Sequence, residues 1–282
     1  MLTIDNQKYN LNFSLTDSLR TRTSIESGWI YGEDMLAREQ RLAPKGPTSR
    51  YRPPTSVRTV TLQSVLRSFG RSVGSDRQLD LLRSYGEKDI FLHYAGDLNL
   101  LERKTVSIVG TRDVSDDGRR RASRLGRELA ASGILVMSGL AKGVDRAAHV
   151  AAIEAGGFTA AVIGTPVTKA YPIENKALQE EIYSQHLLIS PFAPGEPVFK
   201  GNFPKRNRVM ALLSDATVIV EASDTSGTLH QAAECQRQGR WLFIMRAVAE
   251  DTRLSWPRKF LDHPRTRILA CTGDLLGALD DA

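Results

Sequence analysis

From residue 105 onward the sequence alternates short apolar runs with amphipathic stretches of helix length, and this alternation restricts the fold more than any other feature. Six apolar runs have the length of buried strands: 106–109, 134–137, 160–163, 187–189, 217–220 and 241–244. Helical patterns lie between them at 119–131, 144–155, 175–183 and 229–237. Strands separated by helices imply βαβ crossovers. The sequence therefore predicts an α/β fold with a doubly wound, mainly parallel sheet.

The first hundred residues lack this alternation. Residues 1–58 contain scattered apolar positions and several prolines, so we expect an irregular N-terminal extension. Between Arg38 and Arg77 cations far outnumber acids, which fits a DNA contact, a partner contact or a solvated linker. Residues 59–100 show helical spacing and predict a small helical module. Residues 101–282 are then expected to form the α/β domain.

The overall charge suits a polyanionic partner. The chain has 38 Lys and Arg against 32 Asp and Glu, a net charge of +6, and a pI of about 9.4. Each phosphate neutralised by a cation releases counterions, which favours binding of nucleic acid. The two cysteines and the scattered histidines lack metal-ligand spacing, so we expect no metal and no cofactor. The apolar runs are too short to cross a bilayer and no signal peptide is apparent, which predicts a cytoplasmic protein.

Two turns at predicted strand ends have features of anion sites, and ligands of doubly wound sheets bind at such ends. The first strand ends in Gly110-Thr111-Arg112, where glycine permits close approach and arginine offers a fork to phosphate. The second strand leads into residues 138–145, with glycines on both sides of Lys142. Such a turn is either a phosphate cradle or a generic tight turn, because it matches neither the dinucleotide nor the Walker A spacing. Asp145 and His149 are expected to form a structural hydrogen-bonded pair.

A basic segment, Phe203-Pro204-Lys205-Arg206-Asn207-Arg208, lies at the start of another predicted helix. Cations are costly at the positive end of a helix dipole unless an anion lies nearby, so we interpret the segment as phosphate-binding. Its phenylalanine fits either base stacking or anchoring of the loop. After the strand at 217–220, Ser226-Gly227-Thr228 opens a helix and forms another N-terminus that can accept an anion.

Taken in order, these segments resemble the DNA-processing protein A (DprA/Smf) family. The resemblance covers roughly residues 105–245 and rests on Gly110-Thr111-Arg112, Ser138-Gly139-Leu140-Ala141-Lys142-Gly143-Val144-Asp145 with His149, Tyr171-Pro172 with Asn175, the basic segment at 203–208, Glu221-Ala222, Ser226-Gly227-Thr228-Leu229 and Gly239-Arg240. It implies an extended Rossmann-like fold whose basic pocket binds single-stranded DNA without acting as an enzyme. It also implies a homodimer that protects strands and loads the RecA recombinase during recombination and natural transformation.

The resemblance also implies which residues form the site. The cations expected to line the DNA pocket are Arg112, Lys142, Lys205, Arg206 and Arg208. The backbone and small polar contacts are expected from Gly110, Thr111, Ser138, Gly139, Gly143, Asn207, Ser226, Gly227 and Thr228. A pocket of this kind binds by charge and stacking, which implies little sequence preference and a strong dependence on salt.

Several positions depart from the family pattern. Ser190-Pro191 stands where Ser-Glu is usual, Thr165-Pro166-Val167 replaces a Gly-rich turn, and His230-Gln231 replaces Ile-Thr. Two alternatives stay open on the same fold. One is a nucleoside-monophosphate phosphoribohydrolase of the LOG type, for which Glu234 is the available carboxylate. The other is a sensor that binds a free nucleotide at the same turns.

Overall fold

The computed structural model describes residues 50–71 and 90–280. Within these ranges nine strands form one sheet: β1 Arg58–Thr61, β2 Phe91–Gly96, β3 Thr105–Gly110, β4 Leu135–Ser138, β5 Thr159–Val162, β6 Leu187–Ser190, β7 Ala216–Glu221, β8 Trp241–Met245 and β9 Thr266–Leu269. All six predicted apolar runs are strands, β3 to β8, with bounds shifted by a residue or two.

The strand order is β1-β2-β6-β5-β4-β3-β7-β8-β9. The pairs β1–β2 and β2–β6 are antiparallel, and every other pair is parallel. The chain leaves β3 toward β4 on one side and later returns to β7 on the other side. This reversal between β3 and β7 is a topological switch point, where doubly wound sheets bind ligands. The predicted α/β fold with a mainly parallel sheet is confirmed.

Helices connect these strands at α1 Leu62–Ser68, α2 Asp116–Ala131, α3 Val144–Glu154, α4 Lys176–Gln185, α5 Asn202–Leu213, α6 Thr228–Arg237, α7 Arg246–Ala249, α8 Trp256–Leu261 and α9 Thr272–Asp280. Short 3-10 helices occupy Leu98–Glu102 and Ile173–Asn175. The start of α2 follows ordinary capping chemistry, because the Ser115 hydroxyl accepts a hydrogen bond from the Gly118 N–H at 2.9 Å. Among the described residues, no helix combines the length and the apolar character that crossing a membrane would need.

Both faces of the sheet are covered by apolar helix faces, as a parallel sheet requires. On one face, α1, α5, α6 and α8 bury residues such as Leu66, Leu213 and Trp256 against the strands. On the other, α2, α3 and α9 contribute residues such as Leu129 and Leu275. Helices and sheet therefore leave the strand ends as the open places where loops can form a site.

Among the described residues of the segment 59–100, which was predicted to be a helical module, α1 and the start of the 3-10 helix Leu98–Glu102 are helical, while β1 and β2 extend the main sheet beyond β6. Tyr94 of β2 lies opposite both Arg58 and Ile189. A strand at this position depends on partners distant in sequence, which local helical spacing does not reveal. Residues 72–89 of this segment lie outside the described residues, and the three-part division of the chain stays a prediction.

Residues 50–57 run along α4 without forming a helix or strand. The Tyr51 hydroxyl donates to the Val167 carbonyl at 2.8 Å and accepts from Gln179 Nε2 at 2.9 Å. The Arg52 guanidinium forms an ion pair of 2.7 Å with Glu180. This part of the basic N-terminal stretch therefore packs against the α/β domain.

Candidate functional site

Two adjoining cavities open at the carboxyl edge of the sheet, beside the switch point. The first, of about 420 Å³, lies between the ends of β3 and β7, and its lining includes Gly110, Thr111, Arg112, Asp145, Phe203, Arg206, Asn207, Ser226, Gly227, Thr228, His230 and Gln231. The second, of about 450 Å³, includes Arg112, Gly139, Lys142, Tyr171, Ile173, Glu174, Phe203 and Arg206 in its lining. Because Arg112, Phe203 and Arg206 line both, we treat the two cavities as one feature, the carboxyl-edge groove.

A cation and two aromatic rings meet at the centre of the carboxyl-edge groove. The Arg112 guanidinium carbon lies 5.5 Å from the centre of the Phe203 ring, within the range of a cation–π contact. The Tyr171 ring lies 5.5 Å from the same ring, and Tyr171 is 45% exposed. The groove thus presents a positive charge beside open π faces, a combination that accepts both phosphates and bases.

Arg206 is a buried cation in the wall of this groove. Its side chain is only 6% exposed, and its Nη1 donates to the Val162 carbonyl at 2.6 Å. Its Nε has no hydrogen-bond partner in the described part of the chain. Burial lowers the pKa of Arg206 to about 10, although the Asp145 carboxylate opposes this shift. The guanidinium therefore retains unused hydrogen-bonding capacity beside an open cavity.

The glycine at 139 makes room for that guanidinium. A Cβ built on Gly139 would overlap Nη1 of Arg206. The backbone N–H of Gly139 donates to Asp145 Oδ2 at 3.2 Å, and the N–H of Ala141 donates to the same atom at 3.3 Å. In the turn predicted as a phosphate cradle, these two N–H groups therefore bind a carboxylate of the protein itself. The role of Gly139 is to leave space for the Arg206 guanidinium.

The turn after β4 is fixed from several sides. The Asn175 amide donates to the carbonyls of Leu140 and Ala141 at 2.9 and 3.1 Å. Leu140 adopts a left-handed φ of 57°, and Gly143 has a φ of 76°. A Cβ on Gly143 would lie 2.6 Å from the carbonyl oxygen of Arg112, so only glycine lets the turn pack against the loop after β3.

The Ser226-Gly227-Thr228 turn forms the opposite wall. The Ser226 hydroxyl accepts from the Thr228 N–H at 3.2 Å and donates to the Thr228 hydroxyl at 2.9 Å. A Cβ on Gly227 would meet no atom within 4 Å, so the backbone there faces open space. The turn thus presents the first residues of α6 to the groove.

Four residues of the expected site line neither cavity: Ser138, Gly143, Lys205 and Arg208. Ser138 is buried, and its hydroxyl donates to the Ile108 carbonyl at 2.6 Å. Lys142 borders the second cavity and forms an ion pair of 2.5 Å with Glu174. Lys205 and Arg208 line neither cavity: Lys205 is exposed, and the Arg208 guanidinium lies 3.6 Å from the Glu234 carboxylate.

Asp145 and His149 do not pair with each other, so that prediction is wrong. Asp145 accepts hydrogen bonds from the turn at 139–141, and burial raises its pKa. His149 Nδ1 lies 2.6 Å from the Thr159 hydroxyl, which itself donates to the Val136 carbonyl. Both side chains are buried and hold neighbouring elements together, as expected for structural residues.

Several lining residues were not assigned to the site from the sequence, and two of them lie on α6. His230 and Gln231 follow Gly227 by three and four residues on α6, so helical spacing turns them toward the same cavity. The Gln231 Oε1 atom is buried and lacks a hydrogen-bond partner among the described residues. Their spacing from the Ser-Gly-Thr turn was the signal that could have identified them.

Glu234, the carboxylate on which the hydrolase alternative depends, is engaged elsewhere. Its oxygens accept hydrogen bonds of 2.8 Å from Arg237 and from the Gln238 amide, and its side chain is almost fully buried. It lines neither cavity of the carboxyl-edge groove. General acid–base catalysis needs a carboxylate within hydrogen-bonding reach of the substrate, and Glu234 does not lie within that reach of the groove.

Comparison with known proteins gives consistent results. Residues 75–277 match the family model described as DNA recombination-mediator protein A. The DNA processing protein DprA of Streptococcus pneumoniae is 40% identical over 166 residues, which cover 59% of this chain and 58% of the relative. The DNA processing protein DprA of Bacillus subtilis is 33% identical over 181 residues, or 64% of this chain and 61% of the relative. The chain thus spans about three fifths of the length of these relatives.

Two solved structures share the fold. The X-ray structure of DprA from Streptococcus pneumoniae matches with a TM-score of 0.61 and 36% identity, covering 66% of this chain and 65% of that one. A structure of DNA processing protein A from Helicobacter pylori, described for its single-stranded DNA binding mode, matches with a TM-score of 0.62 and 25% identity. That match covers 79% of this chain and 96% of the other.

Proposed function

This chain belongs to the DNA recombination-mediator protein A family, and from that premise we propose that its carboxyl-edge groove binds single-stranded DNA. The observation that carries the proposal is the Arg112 guanidinium over the Phe203 ring at the centre of the groove. Proteins that bind single strands combine cations along the backbone path with aromatic faces on which bases stack. The related Helicobacter pylori protein, described for single-stranded DNA binding, supports the same ligand.

Phosphates have two anchoring points in this arrangement. Arg206 offers a guanidinium with an unused Nε from one wall, and the start of α6 offers its positive dipole end from the other. Arg112 lies at the junction of the two cavities and can contact a phosphate in either one. Together these groups favour a phosphodiester chain that runs through both cavities.

The second cavity offers surfaces on which the bases of the strand can stack. Tyr171 and Ile173 are exposed on its rim, beside Phe203. Exposed rings and apolar atoms stack on the faces of unpaired bases, whereas the base faces of a duplex are already stacked on each other. The groove therefore favours a single strand over a duplex.

The finer roles rest on family membership. We infer that the bound strand is protected, and that the protein helps to load the RecA recombinase during natural transformation, in line with the family's description as recombination mediators. A homodimer and a cytoplasmic location also belong to this proposal.

Fluorescence anisotropy of a labelled oligo-dT strand and of its duplex form, across a salt series, tests the proposal. We expect the strand to bind more tightly than the duplex. If three groove cations each neutralise one phosphate, the logarithm of the binding constant is expected to fall against the logarithm of the salt concentration with a slope of about −2, since each neutralised phosphate of a single strand contributes about −0.7. Strand binding that is absent at low salt, or no tighter than duplex binding, would refute it. Saturable binding of a nucleoside monophosphate that added strand leaves unchanged would instead support the nucleotide sensor.

A further inference from the structure

A second set of cations and aromatic rings lies at the opposite, amino edge of the sheet. We call it the amino-edge row, and its members are Arg58, Tyr94, Arg103, Lys104, Phe158, Arg240, Trp241, Arg265 and Arg267. These residues lie on or just before the amino ends of the parallel strands, or on the part of β1 and β2 that pairs there. The row is therefore separate from the carboxyl-edge groove, which lies at the other ends of the strands.

Each part of the row pairs a guanidinium with an aromatic ring. The Arg267 and Arg265 guanidinium carbons lie 4.6 and 5.7 Å from the Trp241 ring centre, at the β8–β9 end. In the middle, Arg103 lies 4.8 Å from the ring centre of Phe158, which is 37% exposed. At the β1–β2 end, Arg58 lies 4.7 Å from the Tyr94 ring centre. The pattern of cation beside ring thus repeats along the whole edge.

Within the described residues these arginines form no ion pair with a carboxylate, although the Asp215 carboxylate lies close enough to act on the charge of Arg240. Arg58, Arg103, Arg240 and Arg265 donate to backbone carbonyls, which orient the side chains and leave the charge intact. Among the described residues, no carboxylate forms an ion pair with these four or with Arg267. By contrast, Lys104 of the row is paired with Asp280, and the neighbouring Arg71 is paired with Asp215. The described part of the amino edge therefore carries five arginines without ion pairs, with Glu102 and Asp215 beside its Trp241 end.

A cavity beside Trp241 adds unused hydrogen-bonding groups. It has a volume of about 300 Å³, and its lining includes Arg71, Lys104, Arg240, Trp241 and Arg265. The indole Nε1 of Trp241 and the Nε of Arg240 are buried without hydrogen-bond partners in the part of the chain that the structure describes. Both are donors, so this end of the row suits a ligand that brings acceptor oxygens.

We propose that the amino-edge row binds a second segment of the same single strand, an inference that rests on the proposed function. Nine strands about 4.8 Å apart make the edge about 38 Å wide, which is room for several nucleotides. The partly exposed rings of Phe158 and Trp241 beside these cations favour a strand with unpaired bases over an acidic peptide, which needs cations alone. Long strands then contact both edges, whereas short strands occupy only the carboxyl-edge groove.

The test compares the wild type with the Arg265→Ala/Arg267→Ala variant on oligo-dT strands of about 6 and about 30 nucleotides, which lie within and beyond the roughly 4–16 nucleotides that an OB-fold domain covers. We expect the affinity for the long strand to fall about tenfold, because two phosphate contacts are lost, while the affinity for the short strand is unchanged. The exposed pair Arg124→Ala/Arg127→Ala on α2 removes the same charge and is expected to leave both affinities near the wild type.

Unchanged long-strand affinity in the Arg265→Ala/Arg267→Ala variant would overturn the inference, as would an equal loss for the short strand or for the α2 control. A different result would indicate a protein partner instead. In that case oligo-glutamate displaces the long strand from the wild type, and the variant binds the long strand as tightly as the wild type does. Failure of the proposed function gives a different result, because the wild type would then not bind the short strand at all.

Discussion

Replacing Arg206 with alanine is expected to lower the free energy of unfolding by about 3–5 kcal/mol, the usual cost of leaving a buried charge without its partner. The guanidinium bonds the Val162 carbonyl from a buried position, and its charge acts on the buried Asp145 carboxylate. Removing it takes this donor from the Val162 carbonyl and this cation from the Asp145 carboxylate, which keeps its hydrogen bonds from the turn at 139–141. Oligo-dT binding is expected to be lost as well, because the same side chain lines both cavities of the groove. Urea unfolding and anisotropy measure the two effects.

The adjacent Lys205→Ala variant is the matched control, since Lys205 is exposed and lines neither cavity. Its unfolding free energy is expected to change by no more than about 0.5 kcal/mol. Combining Arg206→Met with Asp145→Asn is expected to recover part of the lost stability, because no isolated buried charge remains. An Arg206→Ala variant as stable as Lys205→Ala would show that the buried cation does not stabilise this site.

The second large effect is a loss of stability at acid pH that depends on His149. Burial lowers the pKa of His149 from 6.5 to about 3. Thr159 donates its hydroxyl proton to Val136, so His149 Nδ1 carries the proton shared with Thr159, and a second proton at Nε2 would have no acceptor among the described residues. Below pH 6.5 His149 takes up a proton in the unfolded chain but stays neutral in the folded chain. The contribution of the neutral His149 to the free energy of unfolding is therefore fully present above pH 6.5, and the free energy of unfolding is about 2 kcal/mol lower at pH 5.

Urea unfolding at pH 7 and pH 5, for the wild type and for His149→Gln, measures this effect. The raised pKa of Asp145 acts in the opposite direction, because burial penalises its charged form and acid relieves that penalty. That contribution is common to both proteins and cancels in the comparison. The wild type is expected to lose about 2 kcal/mol more than the variant between the two pH values. Equal losses would mean that His149 does not titrate as its burial requires.

The central part of the fold follows from local sequence patterns, and its two margins do not. Strands β3 to β8 are buried on both faces, so they read as continuous apolar runs. Strand β9 has buried ends and an exposed middle at Arg267 and Ile268, and it is a strand because β8 pairs with it. The same holds for β1 and β2, whose partners lie far along the chain. Pairing of this kind depends on tertiary context.

The site shows a similar division. The sequence placed three turns and one basic segment at strand ends, and the structure brings most of these residues to one groove. Phe203 and Arg206 of the basic segment share one face of α5 with Met210, which helical spacing could have indicated. The burial of Arg206 against Val162, and the influence of Asp145 on it, depend on packing between distant elements and were not accessible from spacing.

The most direct test of strand binding in the carboxyl-edge groove is the oligo-dT affinity of Arg112→Ala beside that of Arg120→Ala. Arg112 lines both cavities, while Arg120 is an exposed arginine on α2 that lines neither. We expect Arg112→Ala to weaken binding about tenfold, the equivalent of one charge-assisted contact of about 1.4 kcal/mol, and Arg120→Ala to weaken it less than about twofold. Equal affinities for the two variants would contradict binding in this groove.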